Sequence, residues 1–546
     1  MWVRVVIAAV IATLLYGLWR LRVNRMKIAR LEKAGFQMPA GHSKIWGHLV
    51  HTDKFMKSLA APDVAVDVGI TANIMKDHPN GVFYIDFWPF SLPVVCITSP
   101  NAAIQMQNYS TWAKPRDVEV PFDQICAGPN MFTMPESSWK RWRAMFSNSF
   151  APGYILQLAP MMAREIEVFC ELVRAKTGTG EVFKVETMFS HLALDVVGAT
   201  TLDMQLHNQI RENPIARTIR SQVEWVSFAV VVDPWKAYNP FRPLVIWNNN
   251  RLLRKFIGAE IEKQYAKVRD TFRGKKRGPK SILSLALETY LAEESAKGDL
   301  PTTIDPNFKR LAVSQILVFM IAGHETTSTT MCFCFSMLSR HPSALARMRA
   351  EHDAVFGTDI APSHVSSLIT TEPERLNQLT YTQAVIKETL RLYPPVSYVR
   401  AGTDKMVITD DAGVQYPMDG FKPWAIHMAI HRNPKYWKDP DSFLPERWLA
   451  KEGDPLYPVK GAWRPFEFGA RNCIGQTLAL MEVRLLLLMT VREFEVRPAY
   501  GEDAPRVWDN PAYVTFGKGV GGKCSGQFPV KVEFTERAKG GKGGAR

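Results

Sequence analysis

Ten residues near the C-terminal end, Phe466 to Gly475 (FEFGARNCIG), combine the parts of a metal-thiolate seat. Cys473 stands just ahead of an apolar run, Gln476 to Val491, that predicts a helix. Exposed N–H groups and the positive end of the helix dipole there favour the thiolate. Gly469 and Gly475 leave room for a flat ligand to approach the backbone. The competing reading of one cysteine among glycines is a buried, inert thiol. A second string, AGHETT at 322–327, sets Gly323, His324, Glu325 and Thr326 inside an apolar stretch from Leu311 to Leu338. Buried ionisable groups in such a stretch mark a functional site; the competing reading is a helix carrying a stray Glu/Thr pair. In KETLRLYPP, Glu388 and Arg391 stand at i, i+3, where a surface pair contributes a few tenths of a kcal/mol. In WKRWR, Trp139 and Arg143 lie one helical turn apart. Read alone, Arg143 and Arg400 are ordinary surface arginines.

The elements that must position these residues are mostly helices. Leu311 to Leu338 follows the breakers Pro301 and Pro306; at 28 residues it is long enough to span a bilayer, yet its ionisable groups place it in the core of a large helical domain. Leu156 to Arg174 and Asn249 to Val268 carry helical periodicity. Val82 to Trp88 and Val94 to Thr98 read as strands of a hairpin around Pro89 to Pro93. Gly35 to His48, with Pro39, Gly41 and Gly47, reads as a hinge into the globular part.

The chain has 546 residues, 46% of them apolar, and a net charge of +14, which suits anionic partners without choosing among them. Its seven cysteines are an odd number with no CxxC pair, excluding a disulfide framework and a zinc ribbon. Val5 to Trp19 is uncharged and apolar, and Arg20, Arg22, Arg25, Lys27 and Arg30 follow it. That order predicts an uncleaved, single-pass anchor with the bulk of the chain in the cytosol, and not a signal peptide. The basic RGKKRGPK at 273–280 reads as a solvated loop, and AKGGKGGAR at the end as a disordered tail. The expected division is an anchor (1–22), a basic linker and hinge (23–48), one large domain (49–536) and the tail (537–546).

Taken together, FxxGxRxCxG at 466–475, ExxR at 388–391, AGxET at 322–326 and WxxxR at 139–143 resemble, in order, the motifs of the cytochrome P-450 superfamily. The resemblance covers roughly residues 35–535 and implies a mainly α fold with a small β-rich region. It implies haem b, with Cys473 as the axial thiolate on iron and with Arg471, Trp139, Arg143, Arg400, Phe466 and Gly475 around the cofactor. It makes Glu388, Arg391 and Arg447 (in FLPERW) a buried structural network; Trp448 stands where the family usually shows Phe, a change expected to cost nothing. Glu325 and Thr326 become a proton relay at a local opening of the helix, and Gly323 gives dioxygen room.

The implied reaction inserts one oxygen atom from O2 into a lipophilic small molecule. Electrons come from NADPH through an NADPH–cytochrome reductase, with cytochrome b5 as a further partner and no nucleic acid involved. The endoplasmic reticulum membrane is the implied location. Substrate recognition falls to Lys114 to Met134, Gln222 to Trp247, the start of the Leu311 helix and Val396 to Val399. Val223 to Trp247 is a candidate lid that also touches lipid. The chain looks most like filamentous-fungal members that decorate secondary metabolites, including aromatic polyketide intermediates. Two other classes compete: a haem-thiolate isomerase or dehydratase without external electrons, and a non-catalytic haem-binding protein. An intact Glu325–Thr326 pair argues against both.

Overall fold

Pro306 opens the central helix, five residues ahead of the apolar run, because a proline at the first helical position forfeits no hydrogen bond and Asp305 caps the end by accepting from the Phe308 N–H at 2.7 Å. This helix runs to Arg340 and is buried along most of its length inside the protein, chiefly against the helix Val185–Leu202. In the computed structural model, residues 1–59, 61–107, 113–226, 234–274, 281–298, 300–515 and 519–542 are described. Part of the candidate lid (227–233), most of the basic 273–280 stretch and residues 543–546 lie outside them.

The other periodic segments are helices with longer ends than their apolar stripes: Pro152–Lys176, again with proline at its start, and Arg242–Gly274. Periodicity marks the buried stripe, and the caps lie beyond it. The expected hairpin forms as Val82–Ile85 against Val94–Ile97, antiparallel with Val82 opposite Ile97. Val94–Ile97 then pairs in parallel with Lys422–Ala425, whose other edge takes Tyr398–Val399. A three-stranded sheet (Phe183–Lys184, Pro529–Phe534, Phe494–Pro498) and two two-stranded ribbons complete the β structure. One large core is built from the helices, and a smaller one from Val82, Tyr84, Ile97, Ile408, Tyr416 and Phe421 in the β-rich part. The mainly helical architecture with a minor β region is as expected.

Two expected segment boundaries are corrected. The N-terminal helix runs unbroken over Trp2–Lys33, so the region from residue 23 to 33 is helix and not linker. It docks: Arg25 pairs with buried Asp86 and donates to the Ile45 carbonyl at 2.7 Å and the Trp88 carbonyl at 3.0 Å, while Ile28 enters the β-side core. Among the described residues this is the one helix long and apolar enough to cross a membrane. At the other end Glu536–Lys542 is helical rather than a loose tail. The Thr535 hydroxyl accepts from the Ala538 N–H, and Arg537 pairs with Asp353 at 2.7 Å.

Candidate active site

The Phe466–Gly475 loop is held in shape by its own backbone and by two side-chain clamps. The Cys473 N–H donates to the Phe466 carbonyl at 2.9 Å, and the helix begins at Gln476, three residues after the cysteine, with Gly475 as its N-cap. The sulfur therefore receives N–H groups of Gly475 and Gln476, the first donors of that helix. Packing around the sulfur pushes the Cys473 thiol up even though the residue keeps solvent-exposed surface, while those two amides and the Arg143 guanidinium pull the other way. Of the seven free cysteines, Cys473 alone has an exposed side chain. Gly469 is needed for its φ of +75°, with Gln107 packed over it, and a Cβ on Gly475 would stand 3.9 Å from the Cys473 sulfur. Gly475, not Gly469, is the glycine beside the sulfur.

Glu467, not singled out by the motif reading, is the first clamp. Its carboxylate pairs with Arg464 and accepts from His427 Nε2 at 3.0 Å. Burial pushes its carboxyl up, and Arg464 and His427 outweigh that, bringing it down to about 2. Arg143 is the second clamp: its two terminal nitrogens donate to Asn472, at 2.9 Å to the carbonyl and 2.6 Å to the side-chain oxygen, so Arg143 braces the cysteine loop.

Cations gather on the other side of the loop. Arg471 stacks 4.3 Å over the Trp139 ring and donates to the Met134 carbonyl at 3.1 Å, but its buried Nε has no partner. Trp139 thus supports Arg471, and Trp142 packs on Phe308. Arg400 is buried with its guanidinium 3.9 Å from the Tyr398 ring. Lys114 is buried beside it, its ammonium 3.8 Å from Phe132 and 4.9 Å from Tyr398. Burial and then the Arg400 charge bring Arg471 down to about 10; the same causes, with Arg471 added, hold Lys114 well below its ordinary value. Glu467, the acid that acts on Lys114 and Arg400, is already paired, and Glu136 acts on Arg471 from the start of the Trp139 helix. Two buried cations, a half-buried third and its orphaned N–H fit a group carrying two carboxylates, which is what haem propionates supply, and a sulfur held under two amides fits its iron. Lys114 was invisible in sequence: a single lysine between Ala113 and Pro115 carries no local signal.

The Glu388 network forms as the resemblance implied, with one addition. Glu388 is fully buried and accepts from Arg391 at 2.8 and 2.9 Å, from Arg447 at 3.2 Å and from the Leu444 N–H at 3.0 Å. Trp448 also donates its indole N–H to Glu388 at 3.1 Å, a bond no phenylalanine makes. Its presence is therefore not neutral. Trp448→Phe is expected to lower stability by about 1–3 kcal/mol, read as a lower unfolding midpoint with an unchanged haem spectrum; an unchanged midpoint would remove that bond from the network.

On the central helix, Ala322 is exposed and Gly323 and Thr326 are half-buried between buried neighbours, so one short face of an interior helix is open. Three expectations are corrected here. A Cβ on Gly323 would meet Val197 at 3.0 Å, so this glycine serves the close crossing with Val185–Leu202, and Ala322 takes the open face. The helix stays α through the segment, with the Thr326 hydroxyl donating to the Ala322 carbonyl at 2.7 Å. Glu325 is turned elsewhere: it accepts from the Val520 N–H at 2.7 Å and lies 3.6 Å from the Lys523 ammonium. Neighbouring helical residues do not share a face, so acid and alcohol point apart.

Comparison with known proteins follows the same line. The cytochrome P450 family model matches residues 82–518. Cytochrome P450 monooxygenase polC of Polytolypa hystricis is 32% identical over 96% of this chain and 94% of its own. Cytochrome P450 monooxygenase acrF of Aspergillus aculeatus is 29% identical over 77% of this chain and 85% of its own. The cytochrome P450DA haem domain superposes with a TM-score of 0.71 at 19% identity, covering 92% of this chain and 98% of that one, which shows the fold. With a helix-capped cysteine, buried cations suited to two carboxylates and a match across most of its length, the chain belongs to the cytochrome P450 family and is a haem-thiolate monooxygenase that uses O2 and NADPH-derived electrons delivered by a reductase.

Proposed function

We propose that Cys473 is the axial ligand, that Arg471, Arg400 and Lys114 receive the haem propionates, and that the substrate is a lipophilic fungal secondary metabolite of the aromatic polyketide kind. The observation that carries the cofactor assignment is the Cys473 sulfur under the Gly475 and Gln476 amides, with buried Lys114 and Arg400 and half-buried Arg471 gathered beside that loop without an anion of their own among the described residues. When bound, haem supplies oxygen activation through its thiolate-ligated iron. The chain's own residues hold and orient it: Phe466 fixes the cysteine backbone, Arg143 and Glu467 lock the loop, and Trp139 supports Arg471. The Glu388–Arg391–Arg447 network ties the helix Thr380–Leu392 to the Leu444–Trp448 turn. Thr326 and Ala322 present the open face of the central helix, and Glu325, held on another face by Val520 and Lys523, is the acid that renews the Thr326 proton once it turns from them.

The chain is further proposed to sit in the endoplasmic reticulum membrane through its N-terminal helix, with the catalytic domain in the cytosol and cytochrome b5 as a second electron donor. The cations following Trp19 support that orientation. Trp235, Tyr238, Phe241, Leu244 and Trp247 are all exposed, which supports a lid in contact with lipid. We propose the division into an anchor helix extended to Lys33, a hinge up to residue 48, a haem domain and a short C-terminal segment that begins as helix.

Deleting the gene and searching by mass spectrometry for the metabolite that accumulates identifies the substrate. Thr326→Ala then tests the site: haem and substrate binding are expected to persist while product per NADPH falls roughly ten- to a hundredfold and hydrogen peroxide rises. Full coupling in that variant takes Thr326 out of the reaction. NADPH consumption that depends on both reductase and substrate separates a monooxygenase from an isomerase or a passive haem carrier.

A further inference from the structure

The loop between the strands Val514–Thr515 and Lys523–Cys524 ends in GVGGK, and this end of it wraps the Glu325 carboxylate. The Val520 N–H donates to Oε2 at 2.7 Å and the Lys523 ammonium stands 3.6 Å from Oε1. A Cβ on Gly519 would lie 3.0 Å from both oxygens, so only glycine lets the backbone come this close. Lys523 has a second carboxylate, Glu186 at the start of the helix Val185–Leu202, 3.5 Å away. Both acids are 6% exposed and Lys523 is 19% exposed; Glu186 Oε2 has no hydrogen-bond partner. The other titratable groups facing this trio are His324 on the central helix, Cys332 about two turns further along, and Cys524 beside Lys523. Burial pushes the imidazole down and both thiols up, so all three are neutral; Arg220 acts on His324 from the helix Pro214–Val226. Two buried carboxylates thus share one ammonium.

The same loop is fastened on its far side to Pro395 and Val396, where the expected substrate-recognition segment begins. Gly522 donates its N–H to the Pro395 carbonyl at 2.8 Å, its own carbonyl accepts from Thr329 at 3.0 Å, and a Cβ on Gly521 would touch Pro395 and Val396 at 3.1 Å. Anything that shifts Pro395–Val396 shifts the cradle of Glu325.

We propose that Lys523 is a positioning residue for the acid: with the Val520 amide it clamps the Glu325 carboxylate on the Gly519–Lys523 loop and shares its charge with Glu186, so Glu325 reaches the Thr326 hydroxyl only when this loop moves. This rests on the reading of Glu325 as the acid. Burial pushes the Glu186 carboxyl up while the Lys523 ammonium pulls it down, so removing the ammonium leaves two like charges side by side in a buried site and Glu186 takes up a proton.

Infrared spectroscopy of the haem-loaded, resting protein tests this without turnover. Lys523→Met is expected to show a protonated-carboxyl band at neutral pH that is absent from the unaltered protein and from Lys523→Arg. The pH dependence of product formed per NADPH should move up by about one unit in the Met variant and return in the Arg variant. A folded Lys523→Met protein with no new carboxyl band overturns the clamp. Should that variant not fold, Glu186→Gln replaces it: with one carboxylate gone, carboxyl protonation on acidification should begin at lower pH, and no change overturns the sharing. Glu325→Gln addresses the underlying reading separately, since full coupling there removes Glu325 as the acid even where the infrared band of Lys523→Met appears.

Discussion

Cys473→Ala is expected to abolish the red-shifted Soret band of the reduced carbon monoxide complex, because that band reports thiolate donation to haem iron. The effect should be complete, since the other six cysteines are buried away from the loop and burial raises each of their thiols. Haem content is expected to fall less than the band. Half-buried Arg471 and buried Arg400 and Lys114 remain to receive carboxylates, and the loop keeps the Arg143–Asn472 and Glu467–His427 bonds. Absorbance spectra of reduced protein with carbon monoxide, normalised to haem extracted from the same sample, separate the two quantities. A Cys473→Ala protein that keeps the red-shifted band would overturn the ligand assignment.

Glu388→Ala should be the most damaging single change away from the cofactor. The carboxylate accepts five hydrogen bonds from Arg391, Arg447, Leu444 and Trp448, and both arginines are fully buried. Arg391 keeps the carbonyls of His431, Pro440 and Ser442 and Arg447 keeps that of Asp439, but neither retains an anion. Breaking a buried pair from one side costs about 3–5 kcal/mol, a large part of the roughly 5–15 kcal/mol that separates folded from unfolded protein. The expected result is low yield, low haem content and a lowered unfolding midpoint. Glu388→Gln keeps the shape and one acceptor oxygen, so it should fall between. Normal haem loading and stability in the alanine variant would mean that the network does not hold the fold.

Motif strings located Cys473, the Glu388 network and the central helix because each depends on residues close in sequence or on a pattern of fixed spacing. What they did not locate depends on what folding brings together. Arg143 and Trp139 lie on the predicted helix, yet whether an arginine reaches a ligand or the Asn472 side chain is decided by a contact across more than three hundred residues. Gly323 looked like room for a ligand; its missing Cβ instead admits Val197 from another helix. The Glu325–Thr326 pair was legible as chemistry, but its geometry is set by Val520 and Lys523, which arrive from the C-terminal ribbon. Lys114 becomes informative only when Arg400 and Arg471 are seen beside it, since each charge gains meaning from the others' burial. Trp448 was legible as an aromatic substitution and not as a hydrogen-bond donor, because the identity of its acceptor is a tertiary fact.

The unbroken N-terminal helix makes the molecule mechanically a single lever. From Trp19 to the docked Arg25 is six residues, about 9 Å of helix, and no proline or glycine lies between Leu18 and Lys33 to act as a pivot. Arg25 is pinned by Asp86 and by two carbonyls on separate turns, and Ile28 is sealed into the β-side core three residues later. A torque applied to residues 2–19 is therefore transmitted to the sheet and not dissipated in a swivel. The pitch and roll of the catalytic domain relative to whatever surface grips that apolar segment are settings of the fold itself, fixed when the chain folds.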